Sequence, residues 1–293
     1  MTTQRLTYFL IFLVALSTSC QKAQLANVPD YTLSEEIPPI DKTREARMLS
    51  AFFGLDNGLN QLSRLIWKEA PGKDGMPIVF SHEIDPSTVD ISDFQILTQK
   101  GDTMGVEFVS YKPAVEEFEL RTLLLIGEYG NTPDNEPIEV EIVGELISRD
   151  GQNLQGQKIA VTPLAEGPFV SYAEYFFLDE DYPYVDKGVG CDCPKSETEM
   201  VVRVVWSGGV RNKDGDELGD AELSRFHISL VQNGDTIEVS PFMLADLNDN
   251  ENNTDLCLKK AGIPISVRVD ANTAIDPNDD INPETLAKVV SRW

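Results

Sequence analysis

The feature that most restricts what this chain can fold into is the shortness of its apolar runs. Beyond the first twenty residues none is longer than about seven residues, a length that suits a strand and falls well short of a membrane-spanning helix. From Gly75 onward the runs are rich in β-branched and aromatic residues: Ile78 to Phe80, Phe94 to Leu97, Val106 to Val109, Leu120 to Ile126 and Ile138 to Ile142. Turn-forming clusters separate them at Asp85-Pro86, Lys100-Gly101-Asp102, Asn131 to Asp134 and Arg149-Asp150-Gly151. Short strands spaced by such turns predict a β-sandwich. A break over Thr162-Pro163 to Gly167-Pro168 is followed by further strand patterns at Glu199 to Trp206, Phe226 to Val231, Thr236 to Val239 and Pro264 to Val269. Asn233-Gly234 between two of these predicts a tight hairpin.

Two segments read differently. Between Thr43 and Ala70 the apolar period is helical, with Ala46, Leu49, Phe52 and Phe53 on one face and Leu59, Leu62, Leu65 and Ile66 on a second. Phe52 and Phe53 either pack on the chain's own core or sit in a groove on a partner. Near the end, Asn282-Pro283-Glu284-Thr285 predicts a short final helix with Asn282 as its cap.

The amino terminus carries an address. Arg5 precedes the apolar run Leu6 to Leu16, then come Ser17, Thr18, Ser19 and Cys20. This layout is that of an export signal rather than a span. The cysteine after small residues resembles the lipobox of bacterial lipoproteins, although Ser17 stands where an aliphatic residue is usual. The resemblance implies cleavage before Cys20, acylation of that cysteine (palmitate being one such chain), and attachment to a membrane. Gln21, in place of an aspartate, implies the outer membrane, facing the periplasm or the surface. Residues 20–42 are polar and contain Pro29, Pro38 and Pro39, as a flexible tether does.

A second resemblance covers about residues 76–165. Ile78 to Thr88, Ile-Val-Phe-Ser-His-Glu-Ile-Asp-Pro-Ser-Thr, is similar to the opening strand and turn of bacterial Ig-like domains of surface and S-layer proteins. Glu145 to Leu154 is similar to their penultimate turn, and Pro113 to Glu119 departs from the pattern as an insertion. The resemblance implies an Ig-like sandwich and says little of function.

Charge excludes one partner class. With 24 basic and 49 acidic residues the formal net charge is −25, which repels phosphate backbones, so nucleic acid is not expected to bind. Divalent cations, cationic ligands or plain solubility fit such a surface. With Cys20 acylated, Cys191, Cys193 and Cys257 remain. Cys191 and Cys193 are too close in sequence to bridge comfortably, so one of them is expected to pair with Cys257. A zinc site is the alternative, but His82 and His227 are far apart in sequence.

Three loops present oxygen ligands in the way calcium requires. These are Asp214, Asp216 and Asp220; Asp246, Asn248, Asp249, Asn250 and Asp255; and Asp276 with Asn278, Asp279 and Asp280. Neither longer loop is an EF-hand, since Glu217 and Glu251 stand where its glycine belongs and Leu223 and Cys257 where its closing glutamate belongs. The same residues also build ordinary turns. Asn252-Asn253-Thr254 matches a glycosylation sequon, a reading the bacterial lipobox disfavours. Tyr172, Tyr175, Phe176, Tyr184 and Trp206 form either a sugar-stacking platform or core. Enzyme templates fit poorly: Ser207 lacks the leading glycine of a nucleophile elbow and no phosphate-binding loop occurs, while 49 acidic residues leave a glycosidase carboxylate pair open.

The sequence therefore predicts a mostly β protein with tandem Ig-like β-sandwich domains and a short helical segment after the signal and tether. The expected divisions are signal 1–19, tether 20–42, helical segment 43–74, Ig-like sandwich 75–165, and a second β-rich domain 166–293. The expected function is a lipid-anchored, non-catalytic binding or structural module of the cell envelope, with calcium as its candidate ion. A glycan or another envelope protein is the expected partner besides the membrane. The rival reading is a carbohydrate-active hydrolase or lyase of the cell surface, and a third is a subunit docked through Phe52 and Phe53.

Overall fold

The computed structural model describes residues 44–115, 118–178, 191–245 and 251–292. The expected signal 1–19, Cys20 and the tether lie outside these residues, as do Tyr184, Asp246, Asn248, Asp249 and Asn250. Among the described residues the chain is mostly β, with fifteen strands and no α-helix.

Seven strands close into a barrel: β1 (Met48–Phe52), β2 (Asp74–Phe80), β3 (Phe94–Thr98), β4 (Thr103–Ser110), β5 (Thr122–Gly127), β6 (Pro137–Ile142) and β7 (Lys158–Thr162). Their order is β1-β2-β5-β4-β3-β6-β7, and the parallel pair Ala51↔Val161 closes the ring. Eight more form one sheet: β8 (Val170–Phe176), β9 (Met200–Trp206), β10 (Phe226–Gln232), β11 (Asp235–Val239), β12 (Met243–Ala245), β13 (Asn253–Leu258), β14 (Ile263–Val269) and β15 (Thr285–Ser291). Its order is β11-β10-β14-β15-β8-β9-β13-β12, and it too contains a parallel pair of its first and last strands, Ala173↔Val289.

Local chemistry explains several joints. Asn233 and Gly234 take φ of 52° and 92°, and Gln232 pairs with Asp235 across them. That is the left-handed pair a two-residue hairpin needs. Met76, Ile78, Phe80, Leu123, Leu125, Val140 and Ile142 fill the barrel. Val202, Val204, Trp206, Phe226, Ile228, Leu256 and Val267 fill the second unit. Each such side chain contributes about 1.5–3 kcal/mol on burial.

The expected helical segment over 43–74 is corrected. Met48 to Phe52 is strand β1, which enters the barrel, so the first unit begins well before Gly75. Its burial on both faces erased the alternation that marks a strand: Ala51 and Phe53 face the barrel core, whereas the Phe52 ring lies against Gly208 of the second unit. A β-carbon at Gly208 would come within 2.9 Å of that ring, so the approach requires glycine. Of the second expected face, Leu59 and Ile66 pack over Phe108 and Ile126, with Trp67 stacked on Phe108 at 5.4 Å. Leu62 and Leu65 point outward on a single 3-10 turn, Gln61–Leu65. The final helix is also corrected, since Thr285–Ser291 is strand β15. The Asn282 side-chain oxygen Oδ1 accepts from the amides of Thr273 and Ala274, bracing a loop instead of capping a helix.

A buried arginine–carboxylate seam between the two units

Every residue of β9 and β13 is buried, because both faces of these strands are covered. One face meets the second unit's own core. The other carries three rows fixed by strand register: Tyr172, Val205 and Asn253; then Glu174, Arg203 and Asp255; then Phe176, Val201 and Cys257. The barrel lies against this face. Val79 of β2 and Leu49 of β1 pack on Tyr172, Val205 and Val290. Ser50 and Ser171 share a 2.8 Å hydroxyl bond, and the Asn252 amide donates to Thr122 at 3.1 Å.

The middle row is charged, so its members are satisfied by partners at close range. Arg203 grips Asp255 with two bonds, Nε to Oδ1 at 2.7 Å and Nη2 to Oδ2 at 2.9 Å. Its Nη1 reaches Glu119 of the barrel at 3.0 Å. Arg121, just ahead of β5, sends Nη2 back to Glu174 Oε2 at 3.1 Å. Each unit thus places an arginine on a carboxylate of the other. Arg292, after β15, binds Glu174 Oε1 through Nε at 2.9 Å and Nη2 at 2.8 Å, and the Tyr172 hydroxyl donates to Oε2 at 3.2 Å. Aromatic faces cover the cations: Arg121 stands 4.3 Å over Tyr172, and Arg292 is 3.5 Å from Phe176 and 4.7 Å from Phe118. Phe118 takes φ of 66°, an uncommon conformation for a bulky side chain.

Burial alone would raise the Glu174 carboxyl, but Arg121, Arg292 and Arg203 outweigh it and hold its pKa at about 2. On the barrel side Arg149 pairs with Glu83 at 3.1 Å, and His82 lies 4.0 Å from Asp150. A narrow cleft between Arg44, Arg121, Glu174 and Arg292 has room for about one water molecule. Glu174 is ionised and saturated with donors, so it serves neither as general acid nor as base near neutral pH. The arrangement is suited to holding two units together.

The expected calcium ligands do not assemble among the described residues, where no group of three or more His, Cys, Asp or Glu has a metal-holding geometry. Asp255 is held by Arg203 through both of its oxygens. Asp214, Asp216 and Asp220 are exposed, and the Asn212 side chain shapes their loop by accepting from the amides of Asp214 and Asp216. Asp276 does the same in its loop for Asn278 and Asp280. Both are Asx-type turns. The disulfide joins Cys193 to Cys257, with Cα atoms 5.6 Å apart. Cys191 stays a buried thiol whose pKa is pushed well up by burial and by Asp255.

Of the aromatic platform, Phe176 and Trp206 are fully buried and Tyr172 lies in the seam. The partner face through Phe52 and Phe53 is likewise closed, since both rings are buried within the chain. Asn252 of the sequon is buried and donates to Thr122 and to the Trp206 carbonyl. Sequence reasoning missed the seam, although a signal existed. Glu174 within Tyr-Ala-Glu-Tyr-Phe-Phe and Arg203 within Val-Val-Arg-Val-Val-Trp are lone charges inside strands apolar on both sides.

Neither a family model nor a curated protein matches this chain. Among solved structures, native alpha-2-macroglobulin from Escherichia coli spanning domains MG0-NIE-MG1 is similar over 84% of this chain and 72% of that one, at 13% identity and a TM-score of 0.26. A likeness this loose bears on neither mechanism nor ligand.

Proposed function

We propose that this protein is a lipid-anchored, non-catalytic binding or structural module of the cell envelope, built as two tandem Ig-like β-sandwich units. The strand orders support the tandem reading. Lettering each unit's strands in chain order, the barrel's closed order A-B-E-D-C-F-G keeps the A-B-E-D and C-F-G neighbours of a constant-type Ig domain, joined here by the D–C and A–G pairs. With β11 set aside as an added edge strand, the second unit is a single sheet in the order D-E-B-A-G-F-C, the same neighbours joined by the A–G pair. The observation that carries the module reading is the seam. Its ionisable groups are spent on one another across the two units, as suits a rigid spacer or scaffold and leaves no acid–base pair poised for turnover. The address is inferred from Cys20 and the residues before it.

The test combines two measurements. Membrane fractionation with mass spectrometry of the amino-terminal peptide should find an acylated Cys20, and Cys20→Ser should release the protein from the membrane. A polysaccharide panel scored for both retention and product should give retention without product. Product formation that disappears on replacing one loop carboxylate would establish the carbohydrate-active hydrolase or lyase instead.

A further inference from the structure

We propose that the cleft in the seam is a binding site for a monovalent anion of chloride size, held by Arg121 and Arg44 between the two units. Arg121 is only 4% exposed. Its Nη1 donates to the Ser81 carbonyl at 3.1 Å and its Nη2 to Glu174 at 3.1 Å. Its Nε–H is buried with no acceptor among the described residues, and the Nε–H of Arg44, on the rim of the same cleft, is in the same state. A buried donor left without an acceptor is destabilising, so two on residues that line one cleft call for an occupant that accepts.

Charge decides what kind of occupant. Three arginines line the cleft, Arg44, Arg121 and Arg292, against two glutamates, Glu83 and Glu174. Glu174 already accepts from Arg121, Arg292 and Tyr172. Glu83 gives one oxygen to Arg149 and the other to the Leu120 amide. Neither carboxylate has capacity left for the surplus positive charge. A water molecule would accept hydrogen bonds there and leave that charge uncompensated, whereas a halide does both. The room, about that of one water, excludes phosphate, sulfate and organic carboxylates. Because the site is shared by the barrel and the second unit, the anion would bind the docked arrangement and stabilise it by mass action.

The experiment is thermal unfolding of the full chain in mild detergent, titrated with sodium chloride or sodium bromide against sodium gluconate at constant ionic strength. The expected result is a saturable rise in Tm of about 2–4 °C with either halide and none with gluconate. Arg44→Gln should remove that response while the variant still folds, since Arg44 lies at the rim; Arg121→Met should remove it too. Crystals grown in bromide should show an anomalous peak between Arg44 and Arg121. Equal melting in chloride and gluconate, a chloride response kept in Arg44→Gln, or a cleft without a bromide peak would each overturn the proposal and leave an ordered water there.

Discussion

Inside the barrel, Met76, Ile78, Phe80, Leu123, Leu125 and Val140 pack as one hydrocarbon cluster, whereas the seam surrounds Glu174 with Arg121, Arg203 and Arg292. Both regions are buried, yet they answer to different physics. The apolar core gains from any well-shaped hydrocarbon and tolerates volume-conserving exchange. The seam depends on partners, since each of its charges has left water and is tolerable only while the opposite charge stays in place. The core therefore determines whether each unit folds, and the seam determines how the two units sit on one another.

Glu174→Gln should break that contrast most forcefully. It leaves Arg121 and Arg292 buried without their carboxylate, an expected loss of about 3–5 kcal/mol by urea denaturation. Replacing Arg121, Glu174 and Arg292 together by Met, Leu and Met should cost far less, because no charge is then stranded. A single variant as mild as the triple one would show that the seam obeys the rule of the core. Removing the bridge with Cys193→Ser and Cys257→Ser should cost about 2–4 kcal/mol, read by the same titration.

Two buried carboxylates sharpen the comparison through pH. Glu174 is held at about 2, below its ordinary 4.5. Its contribution, on the order of 3 kcal/mol, is present above pH 4.5 and is lost as pH falls through about 2. Asp74, at the start of β2, is pushed from 3.8 up to about 6 by burial, against the pull of the Tyr129 and Asn57 amides. Its contribution is full below pH 3.8 and is lost progressively between pH 3.8 and about 6. Stability measured from pH 2 to 8 should therefore rise on leaving acid, decline between about pH 4 and 6 and level off above that, and Glu174→Gln should erase only the acid limb. The smallest effect belongs to the exposed loop: Asp214→Asn and Asp216→Asn should each change stability by under about 0.5 kcal/mol, with or without calcium.

What the sequence disclosed follows from the same contrast. Strands with one wet face and a sharp turn were legible, as at Phe226 to Val239, where Asn233-Gly234 marks the hairpin. Strand β1 was not, because Phe52 and Phe53 are buried on opposite sides and leave no period of two. The final strand was hidden by Asn282-Pro283, which satisfies a helix-start pattern although its amide braces Thr273 and Ala274. The bridge to Cys257 was readable from cysteine spacing, but its partner, Cys193, is fixed only by the fold. The seam escaped because Arg121 and Glu174 are 53 residues apart and Glu174 and Arg292 are 118 apart, and pairing over such distances has no local signature. The acidic loops drew attention by composition alone, and turn chemistry accounts for the described ones.

Differential scanning calorimetry of the intact chain tests most directly whether the seam makes one body of the two units. A single transition is predicted, with calorimetric and van't Hoff enthalpies equal, splitting into two in Glu174→Gln. Two separate transitions in the unaltered protein would contradict the account.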